Sequence, residues 1–207
     1  MADTLSRIGD ARLVAVLRVR SAERVEPAVD ALVAGGIAAV ELTFTTPGVA
    51  AELEAARRRH PDLLLGAGTV RRAEEARAAA EAGAEFLVMP HLDRDLLAAC
   101  LATGLPSLPG VFTPSELAAA LVAGAEVVKL FPAGPAGPAH MRALLGPFPG
   151  VPIVPTGGIG RDDVAIWLRA GALAVGVGGE LCSTELIDAG RFTELAQRAR
   201  NFSGVVA

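Results

Sequence analysis

"ALVAGAEVVKLF", residues 120–131, decides the fold. An Ala- and Leu-rich stretch of helical character stops at Gly124 and gives way to an apolar run. Gly just past a helix end takes the left-handed conformation that other residues avoid. The run that follows, Val127, Val128, Leu130 and Phe131, reads as the protein interior, in the manner of a parallel strand covered on both faces. The same pulse returns in "ALVAGGIAAVEL" (31–42), "AAEAGAEFLVMP" (79–90), "CLATGLPSLPG" (100–110) and "WLRAGALAVGVG" (167–178). Helix starts are marked as well. "TPSE" (113–116) has an N-cap Thr, a first-turn Pro and a capping-box Glu. "TTPG" (45–48) and Ser21 suggest two further starts.

Strand then helix, repeated, predicts strands near 12–18, 37–43, 62–67, 85–89, 106–109, 126–131, 151–155 and 173–177. Helices are expected near 21–35, 48–60, 71–82, 93–103, 114–123, 137–145, 161–170 and 190–202. Eight evenly spaced βα units favour an α/β protein closed into a single (β/α)8 TIM barrel over residues 1–207; a doubly wound open sheet is the competing fold. The chain is short for such a barrel, which typically runs to about 250 residues. "PAGPAGP" (132–138) is too short to separate domains.

Composition narrows the function. The 207 residues are 52% hydrophobic and 20% charged, which suits a large buried core. A net charge of -4 is not the basic footprint of a nucleic-acid binder. No apolar run approaches the roughly 18 residues of a membrane span. "MADTLSRIGDAR" lacks the apolar core of a signal peptide, so a cytoplasmic protein with no membrane partner is expected. Cys100 and Cys182 share no motif and read as small buried thiols. His60, His91 and His140 stand far apart, so no metal site is expected.

In a barrel, chemistry sits at the C-terminal ends of the strands. There the sequence places Arg18, Glu41, Thr43, Thr69, "VMPH" with Pro90, Lys129 with Phe131, Thr156, and the glycines of "VPTGGIG" and "VGVGGE". Lys129 and Glu41 are charges inside apolar runs. Either could be structural, Lys129 by turning its ammonium outward and Glu41 by pairing with it. Two such residues at the same end of different strands also make a nucleophile and an acid/base. Desolvation favours the neutral amine; lowering a Lys pKa by about three units costs roughly 4 kcal/mol. That amine can attack a ketone and form an imine, an electron sink that lets a carbon–carbon bond two atoms away break. Glu41 would move the protons. Gly157, Gly158, Gly178 and Gly179 fall in the loops after strands 7 and 8, where barrels often bind phosphate through backbone N–H groups. Arg18 could meet a carboxylate or phosphate, or make a surface ion pair.

The chain resembles the 2-keto-3-deoxy-6-phosphogluconate (KDPG) and 4-hydroxy-2-oxoglutarate (KHG) aldolases over nearly its whole length. "GAGTV" (66–70), "KLFPA" (129–133) and "PTGGI" (155–159), in this order and spacing, carry the resemblance, with "VELTFTTP" (40–47) and "LPGVFTPSEL" (108–117). It implies a class I aldolase with no metal or other cofactor, usually a homotrimer, whose partner is a small 2-keto acid. KDPG would be cleaved to pyruvate and glyceraldehyde 3-phosphate, a step of the Entner–Doudoroff pathway. It further implies Lys129 as the Schiff-base lysine and Glu41 as general acid/base. Thr69 and Thr156 would line the pyruvate end, with Pro90 and Phe131 in the substrate-binding set; Arg18 would bind a substrate anion and Gly157, Gly158, Gly178 and Gly179 the phosphate. Two positions depart from the family pattern. Thr45 stands where many members have Arg, and Gly179, followed by Glu180, where many have Ser. Both touch recognition of the phosphorylated tail rather than the chemistry at Lys129, so the phosphogalactonate isomer and unphosphorylated KHG stay open. From the residues alone, a sugar-phosphate isomerase or epimerase with Glu41 as base and Lys129 as a fixed cation is the alternative, and a non-catalytic anion-binding barrel a third.

Overall fold

The computed structural model describes residues 2–206. In chain order it has α1 (Ala2–Ala11), β1 (Leu13–Leu17), α2 (Val25–Ala34), β2 (Ala39–Thr43), α3 (Val49–Arg59), β3 (Leu64–Gly68) and α4 (Ala73–Glu81). There follow β4 (Phe86–Val88), α5 (Arg94–Leu101), β5 (Ser107–Leu108), β6 (Gly110–Val111), α6 (Pro114–Val122), β7 (Val128–Leu130) and α7 (Gly137–Leu145). The chain ends with β8 (Ile153–Pro155), α8 (Arg161–Arg169), β9 (Val175–Val177), α9 (Thr184–Asp188) and α10 (Phe192–Val206).

All strand pairings are parallel, in a six-stranded order β5-β4-β3-β2-β1-β9 and a three-stranded order β6-β7-β8. β5 and β6 are one stave interrupted at Pro109, whose ring leaves no N–H for the ladder; its carbonyl still accepts from Lys129 N–H at 3.0 Å. A parallel bridge, Thr156 to Gly176, and a bond from Leu173 N–H to Ile153 O at 2.9 Å join β8 to the β9 segment and close the ring. The eight staves form the expected (β/α)8 barrel.

Alternation along the strands explains Lys129. Val128 and Leu130 pack outward beneath the helices, while Val127 belongs to the cluster that fills the barrel with Val14, Ala39, Leu64, Phe86, Val88, Leu108, Val154 and Ala174. Lys129 shares the parity of Val127 and so points inward. On β2, Val40 and Leu42 face out and Ala39 and Glu41 face in, by the same rule. Phe131 departs from its expected interior place: it lies beyond the end of β7 and is 38% exposed.

The predicted punctuation holds at most helix ends. Gly36, Gly83, Gly104, Gly124 and Gly171 follow α2, α4, α5, α6 and α8 with φ between 80° and 102°. Thr113 and Glu116 form the expected capping box on α6, with Thr113 N–H donating to Glu116 Oε2 at 2.8 Å. The other two starts differ. α3 begins after Gly48, and Thr46 instead accepts the Val19 N–H at 3.3 Å. Ser21 precedes a 3-10 turn without a side-chain cap.

Two helices lie outside the predicted set. α9 is a five-residue turn capped by Ser183, hidden in sequence by the loop after strand 8. α1 precedes the first strand, and its Ile8 is fully buried in the barrel-filling cluster. Arg7 on the same helix pairs with Glu85, which also binds Arg57, and donates to Asp62 O at 3.3 Å. Glu85 and Asp62 precede β4 and β3, so α1 lies across the N-terminal end of the barrel.

Candidate active site

Glu41 and Lys129 are 3% and 5% exposed and line one small cavity inside the barrel. Its walls are Ile8, Val14, Phe86, Val88, Leu108 and Val154, with Thr156 and Gly176 at its edge. Glu41 Oε1 is fully buried and has no hydrogen-bond partner among the described residues. Burial pushes the Glu41 carboxyl above the ordinary range, and the charges of Lys129 and Arg18 oppose that shift only in part. Lys129 Nζ sits 4.8 Å from the centre of the Phe131 ring, a cation–π distance at the inner edge of the mouth.

Room for Glu41 is made by a residue that the sequence reading passed over. A Cβ on Gly68 would overlap the Glu41 carboxyl, as one on Gly176 would overlap Thr156 and one on Gly66 the Phe86 ring. Gly inside a strand signals such close approach. "GAGTV" carried that signal, but the predicted strand stops at 67, one residue short of Gly68. Thr69, next in the chain, is half-buried and holds a left-handed φ of 53°, a conformation rare in non-Gly residues and concentrated at functional sites.

A second, open cavity of about 450 Å³ lies at the barrel mouth. Arg18, Thr156, Gly157, Gly158, Gly178 and Gly179 line it, with Glu180 beside them as the sequence places it, and so do Cys182 and Thr184, which were not among the predicted site residues. The N–H groups of Gly158, Gly178 and Gly179 have no acceptor among the described residues, while that of Gly157 faces Gly176 O in the closing bridge. Gly157 and Gly158 need their glycines, with φ of 91° and 70°. Gly178 and Gly179 do not: neither has a positive φ, and a Cβ at either meets nothing within 4 Å. Their bare backbone leaves open space and free donors, as an anion cradle requires. Arg18 is exposed and makes no side-chain ion pair among the described residues, so the surface-pair reading finds no partner there.

Thr156 borders both cavities. A ligand with its carbonyl toward Lys129 and an anionic tail among the glycines would pass this residue. Phe131 packs beside Gly157, whose Cβ would lie 2.8 Å from its ring, and so stands at the same mouth. Pro90 lies further round, its carbonyl close against Gly110 on the split stave, and lines neither cavity. Cys182 is buried, and burial pushes its thiol up to about 12. Among the described residues no group of three His, Cys, Asp or Glu is gathered as metal ligands would be, and no helix is long and apolar enough to cross a membrane.

Known proteins resemble this chain in sequence and fold. The model of the KDPG and KHG aldolase family matches residues 5–198. A 2-dehydro-3-deoxy-phosphogluconate aldolase of Treponema pallidum is 40% identical, over 93% of this chain and 95% of its own. A probable 2-dehydro-3-deoxy-6-phosphogalactonate aldolase of Rhizobium meliloti is 33% identical, over 82% of this chain and 81% of its own. The crystal structure of a KDPG aldolase from Legionella pneumophila, with pyruvate captured as a covalent carbinolamine, superposes with a TM-score of 0.87 at 33% identity, covering 95% of this chain and 96% of that one. With a match over nearly all of its length, the chain belongs to the KDPG and KHG aldolase family.

Proposed function

We propose that this aldolase works through an imine at Lys129 and cleaves KDPG to pyruvate and glyceraldehyde 3-phosphate, with KHG, cleaved to pyruvate and glyoxylate, as a second substrate. The observation that carries the proposal is the inward-facing Lys129 in one apolar cavity with Glu41, meeting at Thr156 an open mouth of free N–H groups and Arg18.

The Lys129 amine adds to the C2 ketone, and loss of water gives the iminium. Removal of the C4 hydroxyl proton lets the C3–C4 bond break; its electrons pass to nitrogen, leaving an enamine on the protein and a free aldehyde. Protonation at C3 and hydrolysis of the imine release pyruvate and restore the amine. Glu41, buried and held protonated more readily than an ordinary carboxyl, gives and takes the protons. Thr156 bounds the pyruvate end, with Phe131 beside the Lys129 amine; Thr69 and Pro90 line neither cavity and would act from behind that wall. Arg18 and the amides of Gly158, Gly178 and Gly179, beside Gly157, take the anionic tail. We place the enzyme in the Entner–Doudoroff pathway of the cytoplasm, as a homotrimer, a state that sedimentation of the purified protein measures.

Borohydride added with pyruvate should fix one pyruvate to the protein as a secondary amine on Lys129 and stop turnover. An unchanged intact mass would refute the imine. A sugar-phosphate isomerase using the same pair would neither be trapped nor release an aldehyde.

A second reading of the substrate rests on the mouth itself. Thr45, in the loop after β2 and outside the cavity lining, is exposed and bonded to Thr43 Oγ1 at 2.9 Å; Gly179 offers no hydroxyl, and Glu180 adds a carboxylate to the lining. These weaken a dianion site and favour an unphosphorylated 2-keto acid such as KHG; the phosphogalactonate isomer, which keeps the phosphate, is the further alternative. Initial rates on the three substrates, read with a dehydrogenase that detects pyruvate, rank them.

A further inference from the structure

The charged pair is reached from the mouth, yet one wall of its cavity comes from the opposite end of the barrel. Ile8 of α1 is 0% exposed and lines the same cavity as Glu41 and Lys129. The helix that carries it is held by the Arg7–Glu85–Arg57 cluster. The cavity measures about 10 Å³, barely the space of one water molecule. Immediately beside it Glu41 Oε1 is buried without a partner. A hydrogen-bond acceptor in that condition would be hydrated by any water admitted from below, and what stands below is a sec-butyl side chain.

We propose that Ile8 is a positioning residue of the active site: through it, α1 forms a dry floor that keeps water from the Glu41 carboxyl. The inference rests on the proton-transfer role given to Glu41 above. α1 then acts from the barrel's far end on a group it does not hydrogen-bond. The charged groups facing Glu41 are Lys129 from β7 and Arg18 beyond β1. β3 presents only small residues, Gly66 to Gly68, beside Glu41 in the ladder. Ile8 is what α1 contributes to the cavity, and Arg7 is engaged with Glu85. With the neighbouring charges unchanged, hydration is the variable that Ile8 controls. Burial is the largest cause of the raised Glu41 titration, so admitting water must lower it.

The test is Ile8→Ala against Ile8→Val in the full chain. Carbon-13 NMR of labelled glutamate follows the Glu41 carboxyl, with Glu41→Gln assigning the resonance, and kcat/KM is measured across pH with KDPG. In Ile8→Ala the Glu41 titration and the limb of the rate profile that it sets should both move acidward by about one pH unit; Ile8→Val should restore them. If Ile8→Ala does not fold, Ile8→Thr, close to Val in shape but carrying a hydroxyl, should move both in the same direction. A variant that melts earlier yet leaves the Glu41 titration in place overturns the proposal, because Ile8 is then packing alone. A moved titration with an unmoved rate limb upholds the dry floor and overturns the proton-transfer role of Glu41.

Discussion

Glu41 carries two opposed demands. Its Oε1 is buried with no donor among the described residues, and burial holds the carboxyl above its usual titration range. Ionising it in the folded barrel is therefore harder than in the unfolded chain. Below the ordinary Glu range both states are protonated and this effect vanishes. As pH rises through the raised Glu41 titration, the folded state loses stability relative to the unfolded one. Glu41→Gln removes the ionisation. The variant should gain stability over wild type as pH rises from about 4 to about 8, while kcat falls by roughly 10²- to 10⁴-fold. Chemical denaturation at the two pH values checks this; an equal difference at both would show that burial of the charge is not what sets the gap. Lys129 and Glu41 were legible in the sequence because a charge inside a Val, Leu and Ala run is conspicuous. Gly68 and Ile8 were not, because Gly68 falls just past the predicted strand and an isoleucine reads as core until the neighbouring strand and helix are in place. The two thiols bear on inhibition. Burial pushes Cys100 up to about 11 and Cys182 up to about 12, so neither is a ready thiolate near neutral pH. Iodoacetamide should leave turnover intact, even though Cys182 borders the mouth; rapid inactivation would place a reactive thiol at the site.

At the scale of the element, the sequence told most about ends and least about interruptions. Each Ala-rich helix that closes on a positive-φ Gly was predictable, since the residue that permits the left-handed turn is itself the signal. The break of one stave at Pro109 was equally visible as a residue, but its reading depended on whether the partner strand needed that N–H. α1 was missed because its apolar face is narrow and its partner, the open end of a barrel, does not exist until all eight staves are paired. The glycines at strand ends now divide into two kinds. Gly68→Ala drives a methyl into the Glu41 carboxyl, so it should destabilise the protein by about 1–3 kcal/mol and also displace the acid from the lysine. Gly179→Ser meets open space and a permissive backbone. It should leave the fold and the pyruvate-trapping rate unchanged while lowering KM for phosphorylated substrate alone, by adding a donor to the mouth. Thermal melts and KM values for KDPG and KHG separate the two. Equal tolerance of both substitutions would mean that the backbone at Gly68 can move away from Glu41.

For the whole molecule, closure of the ring is unevenly secured. β1, β2 and β3 pair over long registers, with five residue pairs between β2 and β3, whereas the β8–β9 seam has one bridge, Thr156 to Gly176, and one bond below it from Leu173 N–H to Ile153 O at 2.9 Å. The mouth cavity opens over that weak seam, flanked by the glycine loops that follow β8 and β9. Eightfold alternation in the sequence predicted a ring, but alternation is a property of each strand singly and says nothing of which neighbouring pair is loosest. Local opening draws on the least-bonded parts of a fold. Amides of Thr156–Gly160 and Gly176–Glu180 should therefore exchange with solvent well before those of Val40, Leu42, Leu65 and Ala67, which lie in the best-paired strands. Inorganic phosphate should slow the first group if its free N–H groups cradle the anionic tail, and leave the second unchanged. Hydrogen exchange followed by mass spectrometry, with and without phosphate, resolves both effects. Uniform protection around the ring would mean that this sparsely bonded seam is as rigid as the far side; exchange at the seam that ignores phosphate would leave the cradle without its anion.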